Sequence, residues 1–228
     1  MILRHLLVFL IATGGLFAAG KIEVTGLTLM QYDAKGEPVR RLKAARAVGP
    51  PDSAQLQQGE VEFFRRPQSS LSPDVSTPWA RLTFPLAQYS ALEKSVLGPG
   101  PIRLVTTEAQ LNGRRFDYRL DSNRLVLSEE VVLSAQGAIV RSPRAEVQLA
   151  DGPHGNDPVV DRAELSGGVV VTGLVFKGKA IDRVEAPSIT YFGRTATLQL
   201  HPPVLAWSGG ARTELSGETL TYQLEPSP

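Results

Sequence analysis

In the segment LVLSEEVVLSAQG, residues 125–137, an apolar strand pattern stands on each side of a two-residue break, and its large apolar residues recur two apart although Val126 and Val132 between them are apolar as well. Two leucines precede the break, and Val131 and Leu133 follow it. Period-two alternation is typical of a β-strand that is buried on one face. The segment therefore predicts two short strands separated by a turn at Glu129 and Glu130.

The same arrangement recurs twice further along the chain. AELSGGVVVTG (163–173) and LQLHPPVLAWSGG (198–210) each contain an apolar strand, a two-residue break and a second apolar strand. A spacing of 73 residues is kept by four pairs of matching residues: Tyr118 and Tyr191, Leu127 and Leu200, Val131 and Val204, and Gly137 and Gly210. Such repeats predict hairpins stacked along one axis, where each unit covers the open edge of its neighbour.

Alternation continues over most of the chain after residue 20. FDYRLD (116–121) and AEVQL (145–149) predict half-buried strands, and TELSGETLTYQL (213–224) predicts one clean final strand. Turn-forming residues follow at short intervals. The predicted turns include Asp121-Ser122-Asn123, Ser128-Glu129-Glu130, Gln136-Gly137, Gly167-Gly168, Pro202-Pro203 and Gly209-Gly210. The fold class predicted from this pattern is all-β, with about a dozen or more short strands.

Composition excludes several classes of protein. The 228 residues are 42% apolar and 21% charged, which is the balance of a folded globular protein. Without residues 1–20, which hold Arg4 as their one lysine or arginine, 23 basic residues face 23 acidic ones. Such a chain does not suggest a nucleic-acid partner, because phosphate neutralisation needs a clustered positive field. The absence of cysteine excludes disulfides, thiolate metal sites and thiol nucleophiles.

The first 20 residues form a hydrophobic leader, which we expect to be helical. Arg4 and His5 precede the apolar run Leu6–Gly20, and the small residues Ala18-Ala19-Gly20 would allow cleavage before Lys21. As a helix, this run would be roughly 22 Å long, short of the roughly 30 Å hydrocarbon core. With residues 2 and 3 included, it could still remain as an anchor. Residues 1–20 are therefore predicted to be a signal peptide or an N-terminal membrane anchor, with a buried helix as a third alternative.

No constellation of catalytic residues emerges from the sequence. There is no G-x-S-x-G nucleophile motif and no Gly-rich phosphate loop. Glu129 and Glu130 are expected to be solvated turn residues, because neighbours on a strand point to opposite faces. A zinc site at Asp151, His154 and Asp157 is weighed against an ordinary solvated loop, which we favour. We predict no catalytic residue, no metal ligand and no cofactor.

The apolar sides of the strands are expected to line one interior. Alternation fits a sandwich core filled by its own side chains as well as a trough that receives lipid. The residues predicted to line it, and to contact lipid if it is a trough, are Leu125, Leu127, Val131, Leu133, Val147, Leu149, Leu165, Val169, Val171, Leu198, Leu200, Val204, Leu220 and Tyr222.

Longer segments resemble a known family. LTLMQYDAKGEPVRRLKAARA (27–47), LQQGEVEFF (56–64) and PWARLTFPLAQYSALEKSVLGPGPIRLVTTEAQL (78–111) resemble, in that order, the LptC family of lipopolysaccharide export. APSITYFGRTATLQLHPPVLAWSGGARTELSGETLTYQL (186–224) is similar to the repeat of the related LptA/OstA proteins. The resemblance divides residues 21–224 into an LptC-like part, 24–112, and OstA-like repeats, 113–224, with a tail at 225–228.

The resemblance implies an open antiparallel β-jellyroll, a folded trough of stacked hairpins. It also implies a non-catalytic periplasmic component of lipopolysaccharide transport, whose interior holds the acyl chains of lipid A. Its partners would be the inner-membrane ABC transporter complex and other Lpt β-jellyroll proteins, docked edge to edge. The docking edge expected from the final strand is Thr219, Leu220, Thr221, Tyr222, Gln223 and Leu224, whose backbone groups would pair with the next protein.

Two other classes of function remain open. A structural or adhesive β-repeat protein of the envelope would have the same alternation around a closed, dry core. A glycan-active enzyme on a jellyroll would need a pair of carboxylates facing a groove, and the predicted strands do not assemble one.

Overall fold

A computed structural model describes residues 17–18, 21–33, 36–50, 52–64, 78–150, 160–176 and 179–224. All regular structure in these residues is β-strand, which confirms the all-β class. The strands are β1 (Phe17–Ala18), β2 (Lys21–Tyr32), β3 (Pro38–Gly49), β4 (Ser53–Phe63), β5 (Ala80–Ser90), β6 (Ser95–Val105), β7 (Ala109–Arg119), β8 (Arg124–Ala135), β9 (Ala138–Leu149), β10 (Val160–Thr172), β11 (Leu174–Phe176), β12 (Lys179–Ile181), β13 (Arg183–Phe192), β14 (Thr197–His201), β15 (Val204–Ser208), β16 (Ala211–Leu215) and β17 (Leu220–Gln223).

Fifteen of these strands form one antiparallel sheet made of successive hairpins. Its order is β1-β2-β3-β4-β5-β6-β7-β8-β9-β10-β13-β14-β17, while β15 pairs with β13 and β16, and β11 and β12 form a separate hairpin. Because β14 and β15 lie along the two halves of β13, they act as one interrupted strand, and β17 and β16 continue the sheet beside them. Among the described residues, the first and last strands do not pair with each other, so the sheet is open.

The long strands bend near their middles. In β9 the buried residues are Ala138, Val140 and Ser142 before the bend, and Ala145, Val147 and Leu149 after it. The buried set therefore moves by one residue, as it does in β3, β4, β5, β7 and β13. One extra residue in a strand is a β-bulge, which bends the strand and restores inward pointing on the far side.

The bends of neighbouring strands form a line across the sheet, which we call the crease. Its positions on successive strands are Glu129-Glu130 in β8, Pro143 in β9, Gly167-Gly168 in β10, Pro187 in β13 and Pro202-Pro203 between β14 and β15. The strand halves on the side of residues 131–135 are called layer 1. Those on the side of residues 124–128 are called layer 2.

Some of the predicted turns are hairpin turns, whereas others are crease positions. Asp121-Ser122-Asn123, Gln136-Gly137 and Gly209-Gly210 connect consecutive strands, as predicted. The predicted breaks at Glu129-Glu130 and Gly167-Gly168 are wrong as strand boundaries, because β8 and β10 continue through them. Both glutamates have positive φ, +62° and +55°, and the strand keeps the same neighbours on either side.

The two layers pack face to face around one hydrophobic cluster that takes residues from nearly every strand. Phe63 of β4 lies 5.9 Å from Tyr118 of β7, and Phe84 of β5 lies 5.4 Å from Phe116, measured between ring centroids. Neither β4 nor β5 pairs with β7, so these contacts require the sheet to fold back along the crease. The predicted leader helix lies outside the described residues except at β1, which pairs with β2.

Candidate functional site: the interior and its seam

The inward residues of layer 2 stand in two rows, each running from strand to strand. The first row consists of Tyr89, Val96, Tyr118, Leu125, Val147, Ala163, Tyr191, Leu198 and Tyr222, each directly opposite the next. The second row consists of Phe116, Leu127, Ala145, Leu165, Ile189, Leu200 and Leu220. The 73-residue spacing of Tyr118 and Tyr191 therefore corresponds to equivalent positions four strands apart in the sheet.

The structure brings the predicted interior residues together on the inner faces of both layers. Val131, Leu133, Val169, Val171 and Val204 lie in layer 1, and the others lie in layer 2. Twelve of the fourteen are buried, with exposed fractions of 4% or less. The exceptions are on the last strand, where Leu220 is 36% exposed and Tyr222 is half-buried. Side chains thus close the middle of the interior, and its apolar surface reaches solvent at the last strands.

The outer margins of the two layers meet along a seam opposite the crease. At the seam the Tyr118 hydroxyl accepts a hydrogen bond of 2.8 Å from Arg40 Nη1, which comes from layer 1. The Tyr222 hydroxyl accepts a 3.0 Å bond from the Val175 backbone N–H and donates one to the Val175 carbonyl. Hydroxyl groups of the first row therefore form bonds at two positions along the seam, one to β3 of layer 1 and one to β11.

Two other tyrosines of this row lie in less polar surroundings. Burial raises the pKa of Tyr89. Burial, together with the negative charge of Glu108 on the turn between β6 and β7, raises the pKa of Tyr191. Both phenols stay protonated at neutral pH because their ordinary pKa is already near 10. Tyr89 and Tyr191 therefore contribute neutral hydroxyl groups to this row.

Arg40 is an inward-facing cation in an otherwise apolar part of β3. It shares the inner face with Leu42 and Ala44 and is 4% exposed. Its Nη1 also donates a 2.6 Å hydrogen bond to the carbonyl of Leu120. Beside it lies a cavity of about 40 Å³ between β2, β3, β4 and the ends of β5 and β7.

The hairpin β11–β12 covers the seam near the last strands. Apart from its contact with Tyr222, it is attached to β15 by a 3.2 Å hydrogen bond from Ser208 Oγ to the Ala180 carbonyl. Asp182, the residue after β12, donates its backbone N–H to the Trp207 carbonyl over 2.9 Å. Its carboxylate oxygen Oδ2 accepts a hydrogen bond of 2.9 Å from the Gly209 N–H. This hairpin therefore connects the layer 1 strand β15 with the layer 2 strand β17.

The predicted docking edge is located on and around β17. β17 itself comprises Leu220, Thr221, Tyr222 and Gln223, while Thr219 precedes it and Leu224 follows it. The prediction of one continuous strand over residues 213–224 is wrong, because Ser216-Gly217-Glu218-Thr219 separate β16 from β17 at the crease. Within the described part of the chain, β17 pairs with β14 alone.

The direction of the edge backbone groups follows from one hydrogen bond. The N–H of Leu224 donates to the Ala196 carbonyl over 2.8 Å, on the side of β14. Backbone groups alternate direction along a strand. The N–H groups of Thr221 and Gln223 therefore point away from β14, where an added strand would lie.

A groove of about 490 Å³ lies on the outer surface near the crease, and Glu185 and Glu214 are among its lining residues. The two residues occupy one row, two strands apart. Each forms an ion pair with an arginine two residues earlier in the chain, Arg183 and Arg212. This pattern favours a charge-balanced solvated face over acid–base catalysis.

Other candidate polar residues have local roles. Glu129 and Glu130 form exposed ion pairs with Arg115 and Arg114 at the crease. His201 Nε2 lies 3.2 Å from Thr190 Oγ1. The described residues contain no group of three or more His, Cys, Asp or Glu placed to hold a metal ion. Asp151, His154 and Asp157 lie outside them.

No helix within the described ranges is long and apolar enough to cross a membrane. No family model matches the chain, and no curated protein matches it.

Sequence reasoning missed the features of the seam. The inward position of Arg40 could be read from its alternation with Leu42 and Ala44. Its contact with Tyr118, 78 residues away, could not be read from the sequence, because it depends on how the strands of layer 1 are placed over those of layer 2. The hairpin β11–β12 had no distinct signal in the repeat pattern.

Proposed function

We propose that the chain is a non-catalytic component of lipopolysaccharide transport, built as an open β-jellyroll similar to the LptC and LptA/OstA proteins. In this proposal the folded sheet is a trough in the periplasm, either free or anchored to the inner membrane through residues 2–20. It shields the acyl chains of lipid A and passes them toward the outer membrane. Its partners are the inner-membrane ABC transporter complex and like domains.

The observation that carries the proposal is the combination of one apolar interior with a sheet whose end strands are not joined to each other. Leaving an acyl chain of about 12 carbons in water costs on the order of 10 kcal/mol, at about 0.8 kcal/mol per methylene. A carrier must therefore cover the chain throughout transfer. The sheet has twelve strand positions from β2 to the last pair, β16 and β17, when β14 and β15 count as one interrupted strand. At a spacing of roughly 4.8 Å between strands, the interior is longer than such a chain.

The last strands supply the point of transfer. Leu215 and Leu220 are 41% and 36% exposed, so apolar surface occurs there together with a backbone edge that no other described strand pairs with. A second β-jellyroll that added a strand to β17 would continue both the sheet and the apolar surface. Backbone pairing of this kind is known as β-augmentation.

A structural envelope protein with a dry core is the second candidate. The complete burial of Leu125, Val147 and Leu165 favours it, because these side chains fill the space between the layers. Lipid entry would then require the layers to separate along the seam. Accessibility to lipid in the cell distinguishes the two candidates.

The test is photo-crosslinking to lipopolysaccharide from single positions in the full chain produced in a lipopolysaccharide-exporting cell. Val147 and Leu200 face the interior, and Gln148 is the matched control because it follows Val147 on the opposite face of β9. We expect lipopolysaccharide adducts from the two inward positions and none from Gln148. Adducts from Gln148 alone, or from no position, would reject the transport function.

A further inference from the structure

Arg40 and Glu62 are the two buried charged residues in the described ranges, and their surroundings differ. Glu62 has Arg41, Lys43 and Arg81 within 4 Å. Arg40 has no carboxylate within that distance among the described residues. A largely buried charge without a counterion is costly, and since Nε and Nη2 are not among the fully enclosed unpartnered atoms, solvent reaches them in place of a counterion.

The guanidinium also has unused hydrogen-bonding capacity. An arginine side chain carries five N–H donors. Nη1 donates hydrogen bonds to the Tyr118 hydroxyl and the Leu120 carbonyl, and both acceptors are uncharged. Nε and Nη2 form no hydrogen bond with the described part of the protein. Their parallel N–H groups are the edge that binds two oxygens of a carboxylate or phosphate at once.

The cavity beside Arg40 suits a small head group attached to an apolar chain. Its volume is about 40 Å³, and its walls include Leu29, Leu42, Val61 and Leu120. A space of this size accepts one or two water molecules or a small anionic group, but not the body of a ligand. The lining includes residues of β2 and Leu120, which follows β7, so an alkyl chain bound there would continue along apolar side chains beside the seam.

We infer that the Arg40 cavity binds the oxyanion head group, phosphate or carboxylate, of an amphiphile whose alkyl chain lies along the interior. This inference rests on the proposed lipid-carrying function and adds a polar anchor to it. The anchor would fix the amphiphile at the layer 1 strands β2 to β4, and Arg40 on β3 lies ten strands away from the exposed edge at β17. Charged and uncharged amphiphiles would then bind with different affinities.

The test compares dodecyl phosphate, dodecanoate and dodecyl maltoside by titration calorimetry with the full-length protein. We expect the two oxyanion amphiphiles to bind at least about tenfold more tightly than the maltoside, since one charge-assisted bidentate contact is worth about that factor. Arg40→Met should abolish the preference while retaining maltoside binding. Arg103→Met is the matched control, because Arg103 is exposed on the outer face of β6 and bonds to Gln110.

A second measurement covers the case in which Arg40→Met does not fold. In the wild-type protein, the NMR signal of the Arg40 Nε–H should shift on addition of dodecyl phosphate and stay unchanged with dodecyl maltoside. Equal affinity for charged and uncharged amphiphiles would overturn the inference and leave the proposed function standing. Inorganic phosphate that competes as strongly as dodecyl phosphate would indicate a free-anion site and also overturn it. Failure of every amphiphile to bind would reject the proposed function as well.

Discussion

Glu62 shows how one outward residue of a strand can become buried without loss of its charge. It is 2% exposed, yet Arg41 Nε approaches one carboxylate oxygen to 2.5 Å and Lys43 Nζ approaches it to 3.0 Å. Burial acts to raise the pKa of Glu62, but the hydrogen bonds and charges of Arg41 and Lys43 outweigh it, so the pKa lies below its ordinary value. The cations therefore stabilise the ionised carboxylate in the folded protein.

Replacing Glu62 with glutamine should lower the free energy of unfolding at pH 7 by about 1–3 kcal/mol, since charged hydrogen bonds are lost. Glu60→Gln is the matched control: Glu60 is 28% exposed and pairs with Lys43, so we expect less than about 1 kcal/mol. Urea unfolding of the two variants and the wild type measures both values.

The contribution of Glu62 to the free energy of unfolding should also depend on pH. Because the folded pKa is lower than the unfolded one, the stabilisation is fully present above the unfolded value, about 4.3. It decreases as pH falls from there through the folded pKa. The stability difference between wild type and Glu62→Gln should therefore shrink on acidification. A difference that is constant from pH 7 to pH 3 would contradict this account.

At the crease, the strands of this sheet bend, whereas those of a flat sheet run straight. Adjacent backbones come close together at these bends. A Cβ on Gly98 of β6 would lie 2.5 Å from the Leu86 carbonyl oxygen and 2.9 Å from the Ala87 Cα of β5. A Cβ on Gly113 of β7 would meet Leu127 Cβ at 3.4 Å, which is ordinary contact. Gly98 and Gly113 both lie near the crease, but only Gly113 has room for an added methyl group.

Gly98→Ala should lower the free energy of unfolding by about 1–3 kcal/mol, the usual cost of overpacking, because a backbone must move to make room. Gly113→Ala should cost less than about 1 kcal/mol, because the added methyl group finds van der Waals contact. Thermal unfolding followed by circular dichroism compares the two. Equal destabilisation by both substitutions would show that close approach of β5 and β6 is not what requires Gly98.

Much of the architecture was predictable, because period-two alternation and turn residues are local signals. The inward residues of β8 and β9 could be assigned from the sequence, and twelve of the fourteen predicted interior positions are buried, the exceptions being Leu220 and Tyr222 on the last strand. The crease could not be recognised, because Gly167-Gly168 and Glu129-Glu130 read equally well as turns and as mid-strand bulges. The difference lies in whether the following residues pair with the same neighbouring strand, which is a property of the sheet.

The open sheet leaves β17 as an edge strand in the described part of the chain, and its role in docking can be tested by removing one backbone donor. Thr221→Pro deletes an N–H that points away from β14, so it should leave the pairing of β14 with β17 in place. Under the proposed function, we expect this variant to keep its thermal stability and to lose co-purification with the proposed partners, the transporter complex or like domains. Pro is tolerated on edge strands for this reason.

Thr221→Ala is the control for that experiment, because it removes the side chain and keeps the backbone N–H. It should retain docking. If both variants dock as the wild type does, β17 is not the contact strand. If both fail, the Thr221 side chain rather than the backbone edge makes the contact.

The hairpin order of the sheet has a consequence for how the molecule is made. Each strand from β2 to β10 pairs with the strand synthesised just before it. Structure can therefore grow vectorially while the polypeptide emerges, and every intermediate ends in a strand that awaits its next neighbour. Joining a partner at β17 would repeat, between two molecules, the same step by which the nascent chain extended itself.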